Sequence, residues 1–246
     1  MRAGRSLLLA MALSGPVKAV ECTVATYGGH EFSVCRADAE MEDIRLFLND
    51  PDTGLPLATF SNVKALVEGE GMKLAFAMNA GMYHQDRRPV GYYVEHGREF
   101  SRLVSNEGPG NFGMLPNGVF CVGERRANVI ETMTFLQETP KCEHATQSGP
   151  MLVVNGDLHY RFLVDSDSKY LRNGVGTSGD GKTVWFAISH SPVNFHTFAR
   201  LFQSVLGTPN ALYLDGNVSR LYSPELGRFD GGPPLGPIVG IVVQEE

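Results

Sequence analysis

The chain has 246 residues, 43% hydrophobic and 20% charged, a balance that excludes a disordered polymer and allows one domain with a well-buried core. Its net charge is −6, so nothing favours a nucleic-acid partner. The two basic pairs, Arg87-Arg88 and Arg125-Arg126, read as solvated surface.

Residues 1–20 read as an export signal. Arg2 and Arg5 form a basic start, Leu7 to Leu13 a short apolar run, and Ala19 a small residue at a cleavage position. A buried N-terminal helix is the plainer alternative. The apolar run is far shorter than the roughly 20 residues a spanning helix needs. No other segment is apolar enough, so an exported protein, periplasmic or secreted, with no membrane span is expected. Its domain would cover residues 21–246. An even count of cysteines in an exported chain suggests disulfides. Cys22 and Cys35 flank an apparent hairpin turning at Gly28-Gly29, and Cys121 and Cys142 flank another local excursion. These two local pairings are favoured over the other connectivities. No Cys-x-x-Cys, His-x-x-x-His or EF-hand spacing occurs, so no cofactor and no specific metal site is readable, and metal dependence stays open. Oligomeric state is not legible.

The elements beyond the hairpin follow in order. A strand is expected over 44–48 and a helix over 59–68, with Phe60, Val63, Leu66 and Val67 at helical spacing. Residues 73–78 form a buried strand that delivers Asn79. Strands are expected at 91–95, 118–122, 128–131 and 151–154, the last ending at the hairpin signal Asn155-Gly156. A strand at 182–189, a helix at 195–206 and a strand at 210–214 suggest a parallel pair with a right-handed crossover. Residues 238–243 close the chain as a buried strand. The class is mixed α/β (α+β): a β-rich sheet with few flanking helices in a single domain.

Four corners carry the chemistry, each a polar side chain and small residues beside an apolar strand. They are Asn79-Ala80-Gly81-Met82-Tyr83, Gln147-Ser148-Gly149-Pro150, Arg172-Asn173-Gly174-Val175-Gly176 and Asp215-Gly216-Asn217. Asp215 suits nucleophilic, general-base or positioning work, and a turn aspartate is the plain alternative. Arg172 offers a planar, permanently charged fork for phosphate, against a surface salt bridge. Gln147 and Ser148 can donate to an anion or a sugar hydroxyl. Ser148 lacks the Gly-x-Ser-x-Gly elbow of a hydrolase nucleophile. His190 follows a strand and can act as an acid or orient a neighbour, ahead of His84 and His196. Asp86 is the next acid after Asp215. Residues Gly81, Gly149, Asn173, Gly216 and Asn217 complete the expected substrate-binding set.

In their order along the chain, these corners resemble the phosphodiester glycosidase family over roughly residues 70 to 243. An Asn-Gly-Gly-Phe-Phe-like corner is matched by Asn79 to Tyr83, and a Ser-Gly-Gly-Pro-like corner by Ser148-Gly149-Pro150. An Arg-x-x-x-Gly corner is matched by Arg172 to Gly176, and a Leu-Asp-Gly-Gly-Gly-Ser corner by Leu214 to Ser219. The chain departs from the pattern at Ala80, Asn217 and Val218, where glycine is usual. The resemblance implies hydrolysis of a sugar-1-phosphodiester, with a carbohydrate or sugar-phosphate as substrate. Its leaving group is a phosphate monoester, so protonation matters less than in ordinary glycoside hydrolysis. Asp215 near the anomeric carbon, Arg172 at the phosphate and Asn79 with Gln147 or Ser148 at the sugar would fill the roles. Two other readings stay open: a non-catalytic carbohydrate-binding module on the same fold, and a phosphodiesterase that cleaves the P–O bond.

Overall fold

Three antiparallel sheets meet around Phe186 in the computed structural model, which describes residues 20–216 and 218–245. The proposed signal, except Val20, lies outside the described residues, and so does Asn217. Phe186 belongs to a seven-stranded sheet. Its ring lies 4.9 Å from Phe76 of one five-stranded sheet and 5.9 Å from Phe120 of the other. Buried aliphatics from all three sheets, among them Met78, Val122, Ile188 and Leu214, close one core around these rings. The molecule is β-rich with few helices, as the patterning indicates.

The first strands, Glu21–Tyr27 and His30–Asp38, form the expected hairpin, and Cys22 faces Cys35 across it. The disulfides Cys22–Cys35 and Cys121–Cys142 are both present. The helix Phe60–Gly69 starts where Thr59 caps it by accepting from the Asn62 N–H at 3.1 Å. Val63 and Val67 of that helix pack against Leu74, Ile238 and Val242 of the sheet below. A short helix at Thr132–Glu138 has no counterpart in the sequence reading, because only Thr132 and Phe135 of its seven residues are buried and they show no clear apolar period.

Two expectations change. The strands Thr183–Ser189 and Asn210–Asp215 do run in the same direction, but they are not hydrogen-bonded neighbours. The strand Asn173–Thr177 lies between them, antiparallel to both. What read as a glycine-rich corner is therefore a fully buried central strand. Its glycines serve close packing. A Cβ on Gly174 would sit 2.7 Å from the Leu212 carbonyl oxygen and 3.1 Å from the Phe198 ring, and one on Gly176 would sit 2.7 Å from the Phe202 ring. The helix Phe195–Arg200, continued by a π turn over Leu201–Val205, lies against this bare strip. The strip brings the outer helix close to the sheet and the ends of three strands onto one spot.

Candidate active site

Three of the four corners interlock at those strand ends. Asn79 ends Met72–Asn79, Asn173 begins Asn173–Thr177 and Asp215 ends Asn210–Asp215. The Asn173 amide donates to the Asn79 carbonyl at 2.8 Å and to Asn79 Oδ1 at 2.9 Å, and its own Oδ1 accepts from the Asp215 N–H at 2.8 Å. Asn79 Oδ1 also accepts from the Arg220 N–H at 3.0 Å. With that oxygen engaged, the Asn79 amide nitrogen turns to Asp215 and donates to Oδ2 at 3.1 Å. The Gly216 N–H donates to the other carboxylate oxygen. Ser148, from the remaining corner, donates to the Leu214 carbonyl at 3.0 Å and ties the next sheet to the same strand. Asn79, Ser148 and Asn173 are fully buried.

Asp215 lines a cleft of about 620 Å³ together with Gly216, Tyr83, Tyr170, Tyr213 and Phe112. Among the described residues of its lining, Asp215 is the only carboxylic acid. Asn111 and Ser168 add neutral polar groups, and the rest is apolar or aromatic. A mostly apolar wall with a few polar groups is the usual make-up of a small-molecule site. Burial raises the Tyr83 phenol above its ordinary range, and the nearby Asp215 charge adds to this.

The sequence reading missed these tyrosines. A signal existed: Tyr213 stands two residues before Asp215 on the strand that delivers both to the cleft. Tyr83 closes the first corner itself.

Arg172 does not line the cleft. It is fully buried, and its guanidinium carbon lies 3.6 Å from the Phe195 ring centroid, with the Tyr213 and Tyr170 rings at 5.3 and 5.4 Å. Its Nε donates to the Val193 carbonyl and one terminal nitrogen to the Ser168 carbonyl, both at 2.8 Å. The other, Nη1, is the one buried side-chain polar atom without a hydrogen-bond partner among the described residues. Burial lowers the pKa of the guanidinium, and Tyr213 and Tyr170 oppose this. Arg172 thus sits one layer behind the cleft wall, with the two tyrosines in front.

The other expected residues divide. Gln147 is buried and spends its whole amide inside the protein. Its oxygen accepts from the Tyr92 and Val104 N–H groups, each at 3.0 Å, and its nitrogen donates to the Val104 carbonyl at 2.6 Å and to Thr132 Oγ1 at 3.1 Å. Four bonds fill two lone pairs and two N–H groups. Gly149 lies beneath the cleft rim, where a Cβ would stand 3.0 Å from the Phe112 carbonyl oxygen. Gly81, at φ +154°, packs against Thr146. His190 faces Ser33 at 2.8 Å and Glu31 at 3.5 Å, and none of the three lines the cleft. Asp86 is exposed and bonded to Arg88 at 2.6 Å, which holds its carboxyl below the usual range.

A model of the phosphodiester glycosidase family matches residues 72–227, the stretch that holds all four corners. The chain belongs to that family. The Escherichia coli K12 protein YigE, itself uncharacterised, is 35% identical over 150 residues, which is 61% of this chain and 58% of YigE. The match thus spans little more than half of that relative. Two solved structures share the fold. The catalytic domain of zebrafish N-acetylglucosamine-1-phosphodiester alpha-N-acetylglucosaminidase, auto-inhibited by its pro-peptide, aligns with a TM-score of 0.57 at 13% identity, over 96% of this chain and 86% of that one. A Synechocystis protein aligns with a TM-score of 0.56 at 14% identity, over 92% of this chain and 62% of that one.

Proposed function

We propose that this protein is an exported hydrolase that cleaves the glycosidic C–O bond of a sugar-1-phosphodiester. The observation that carries the reading is Asp215, the single carboxylate among the described residues that line the cleft. Ordinary glycoside hydrolysis uses two carboxyl groups, one of them to protonate a basic leaving oxygen. A phosphate monoester leaves without that proton, so one carboxylate suffices. In the proposed step water adds to the anomeric carbon and passes a proton to Asp215. The bond from that carbon to the phosphate oxygen breaks, and its electron pair leaves with the phosphate. Asn79 and the Gly216 N–H keep the carboxylate oriented. Arg172 supplies a fixed positive charge behind Tyr170 and Tyr213, on the side where the leaving phosphate gains charge. The acetamidosugar phosphodiester named for the zebrafish enzyme is the first substrate to try.

Hydrolysis in ¹⁸O-water tests the reading. Label should enter the sugar hydroxyl at the anomeric carbon. Label in phosphate would mark a phosphodiesterase instead, and binding without turnover across a panel of sugar-1-phosphodiesters would mark a carbohydrate-binding module. Export is supported by the N-terminal pattern and the two disulfides. N-terminal sequencing of protein recovered outside the cytoplasm should begin close to Glu21.

A further inference from the structure

We propose that Tyr213 is a further catalytic residue of this cleft: its phenol donates a hydrogen bond to the phosphate of the leaving group, and Arg172 is a positioning residue that acts on the substrate through it. This rests on the glycosidase reading above. The proton stays on Tyr213 throughout, so the hydrolytic step needs no further reactant.

Four observations lead there. Tyr213 and Asp215 lie two residues apart at the end of the strand Asn210–Asp215, and both line the cleft. The Tyr213 hydroxyl is held against the Asp215 corner, for a Cβ on Gly216 would stand 2.0 Å from its oxygen. Only glycine leaves room for it. The ring is also braced edge-on against Phe195, centroid to centroid 4.8 Å.

The third observation is the Arg172 guanidinium, which is fully buried and reaches the cleft only through the tyrosines that cover it. Two of its nitrogens are engaged by the Val193 and Ser168 carbonyls, and Nη1 has no hydrogen-bond partner among the described residues. A buried polar atom without a partner calls for an explanation, because leaving one unpaired is costly. An anionic group held on the Tyr213 hydroxyl balances the charge of this buried cation.

The last observation concerns the hydrogen itself. Arginine has no acceptor, so the phenol cannot donate to Arg172. Arg172 and Asn111 both favour negative charge on the Tyr213 oxygen. A phenol that cannot donate to arginine keeps its O–H for an acceptor in the cleft it lines. Burial keeps the phenol protonated well above its ordinary range, despite those two neighbours, and Asp215 adds to the rise. A neutral, fixed donor next to a permanent cation is suited to charge that appears only as the bond breaks.

The test combines binding, turnover and a double-mutant cycle on the full chain. Tyr213→Phe keeps the ring and removes the donor. On a phosphodiester that the wild type hydrolyses, it should lower kcat about 10²-fold with KM nearly unchanged, as expected for a contact made mainly in the transition state. Arg172→Lys should cost a similar factor alone but little more in the Tyr213→Phe background, because the two act as one unit. Inorganic phosphate should perturb the near-ultraviolet absorbance of wild-type tyrosine, and Tyr213→Phe should remove that change and weaken phosphate binding. Circular dichroism checks that each variant is folded, and the absorbance titration of the wild type needs no variant.

Equal turnover by Tyr213→Phe and wild type overturns the inference. So do fully additive losses from the two substitutions, or a wild type in which phosphate leaves the tyrosine signal unmoved. A wild type that releases no sugar from any phosphodiester, yet shows the Tyr213-dependent phosphate signal, sinks the glycosidase reading and upholds the contact.

Discussion

The Gln147 and Asp215 corners look alike on paper, each an apolar strand ending in a polar side chain close to glycine. In the fold they do opposite work. Gln147 spends all four hydrogen-bonding groups on Tyr92, Val104 and Thr132, and so clips a loop to its sheet. Asp215 is oriented by Asn79 and Gly216 and lines the cleft. Polar residue type and glycine spacing mark where a chain turns with care. Whether the polar group faces a ligand depends on what the rest of the fold brings to it.

The comparison predicts separate signatures. Asp215→Asn keeps the shape and removes the charge, so turnover of a sugar-1-phosphodiester should fall by about 10²–10⁴-fold with the urea midpoint nearly unchanged. Near-normal turnover would make Asp215 as structural as Gln147. Gln147→Ala should show the reverse pattern. It strands the Tyr92 and Val104 backbone groups, each unsatisfied group costing about 1–3 kcal/mol, so a loss of roughly 3 kcal/mol or more is expected in urea unfolding. KM of the folded fraction should hold. A loss of activity without a loss of stability would place Gln147 in the site after all.

Gly174→Ala probes the packing that brings the corners together. Its Cβ would press on the Leu212 carbonyl and the Phe198 ring, so overpacking should cost about 1–3 kcal/mol in thermal or urea unfolding. An unchanged midpoint would show that the helix has room to shift.

The smallest expected effect lies in the sheet that carries Gln147, at Glu95. Burial raises its carboxyl to about 7, while the hydrogen bond from Tyr93 opposes the rise. In the unfolded chain the group ionises near its ordinary value of 4.5. Between these values the folded state holds more protons, so the Glu95 contribution falls as pH rises from about 4.5 to 7. Glu95→Gln removes that penalty. It should raise the melting temperature relative to wild type at pH 8, by on the order of 1–2 kcal/mol in stability, and the difference should vanish near pH 4. An equal gain at both pH values would point to packing rather than ionisation.

Much of the fold was legible because it is built from local signals. Alternation and β-branched runs mark the hairpin, the strands around 44–48, 73–78 and 118–131, and the closing strand. Thr59 and the period of Phe60, Val63 and Val67 mark the first helix. The two local disulfides follow from strands that bring their cysteines together within short spans. Asn173–Thr177 was not legible as a strand. Its glycines have no β preference of their own, and their use depends on Phe198 and Phe202, more than twenty residues further on.

By itself, then, the sequence determined the strand-rich class, the cysteine pairs, the four corners and the family they resemble, since each rests on neighbours along the chain. Only the tertiary structure decided which corner groups meet a ligand. It interlocked Asn79, Asn173 and Asp215, buried Arg172 behind tyrosines, consumed Gln147 in backbone bonds and left Asp86 and His190 away from the cleft lining. The physical reason is that a hydrogen-bonding group can be committed once. Which partner claims it depends on groups far apart in sequence, brought within about 3 Å only when the sheets close.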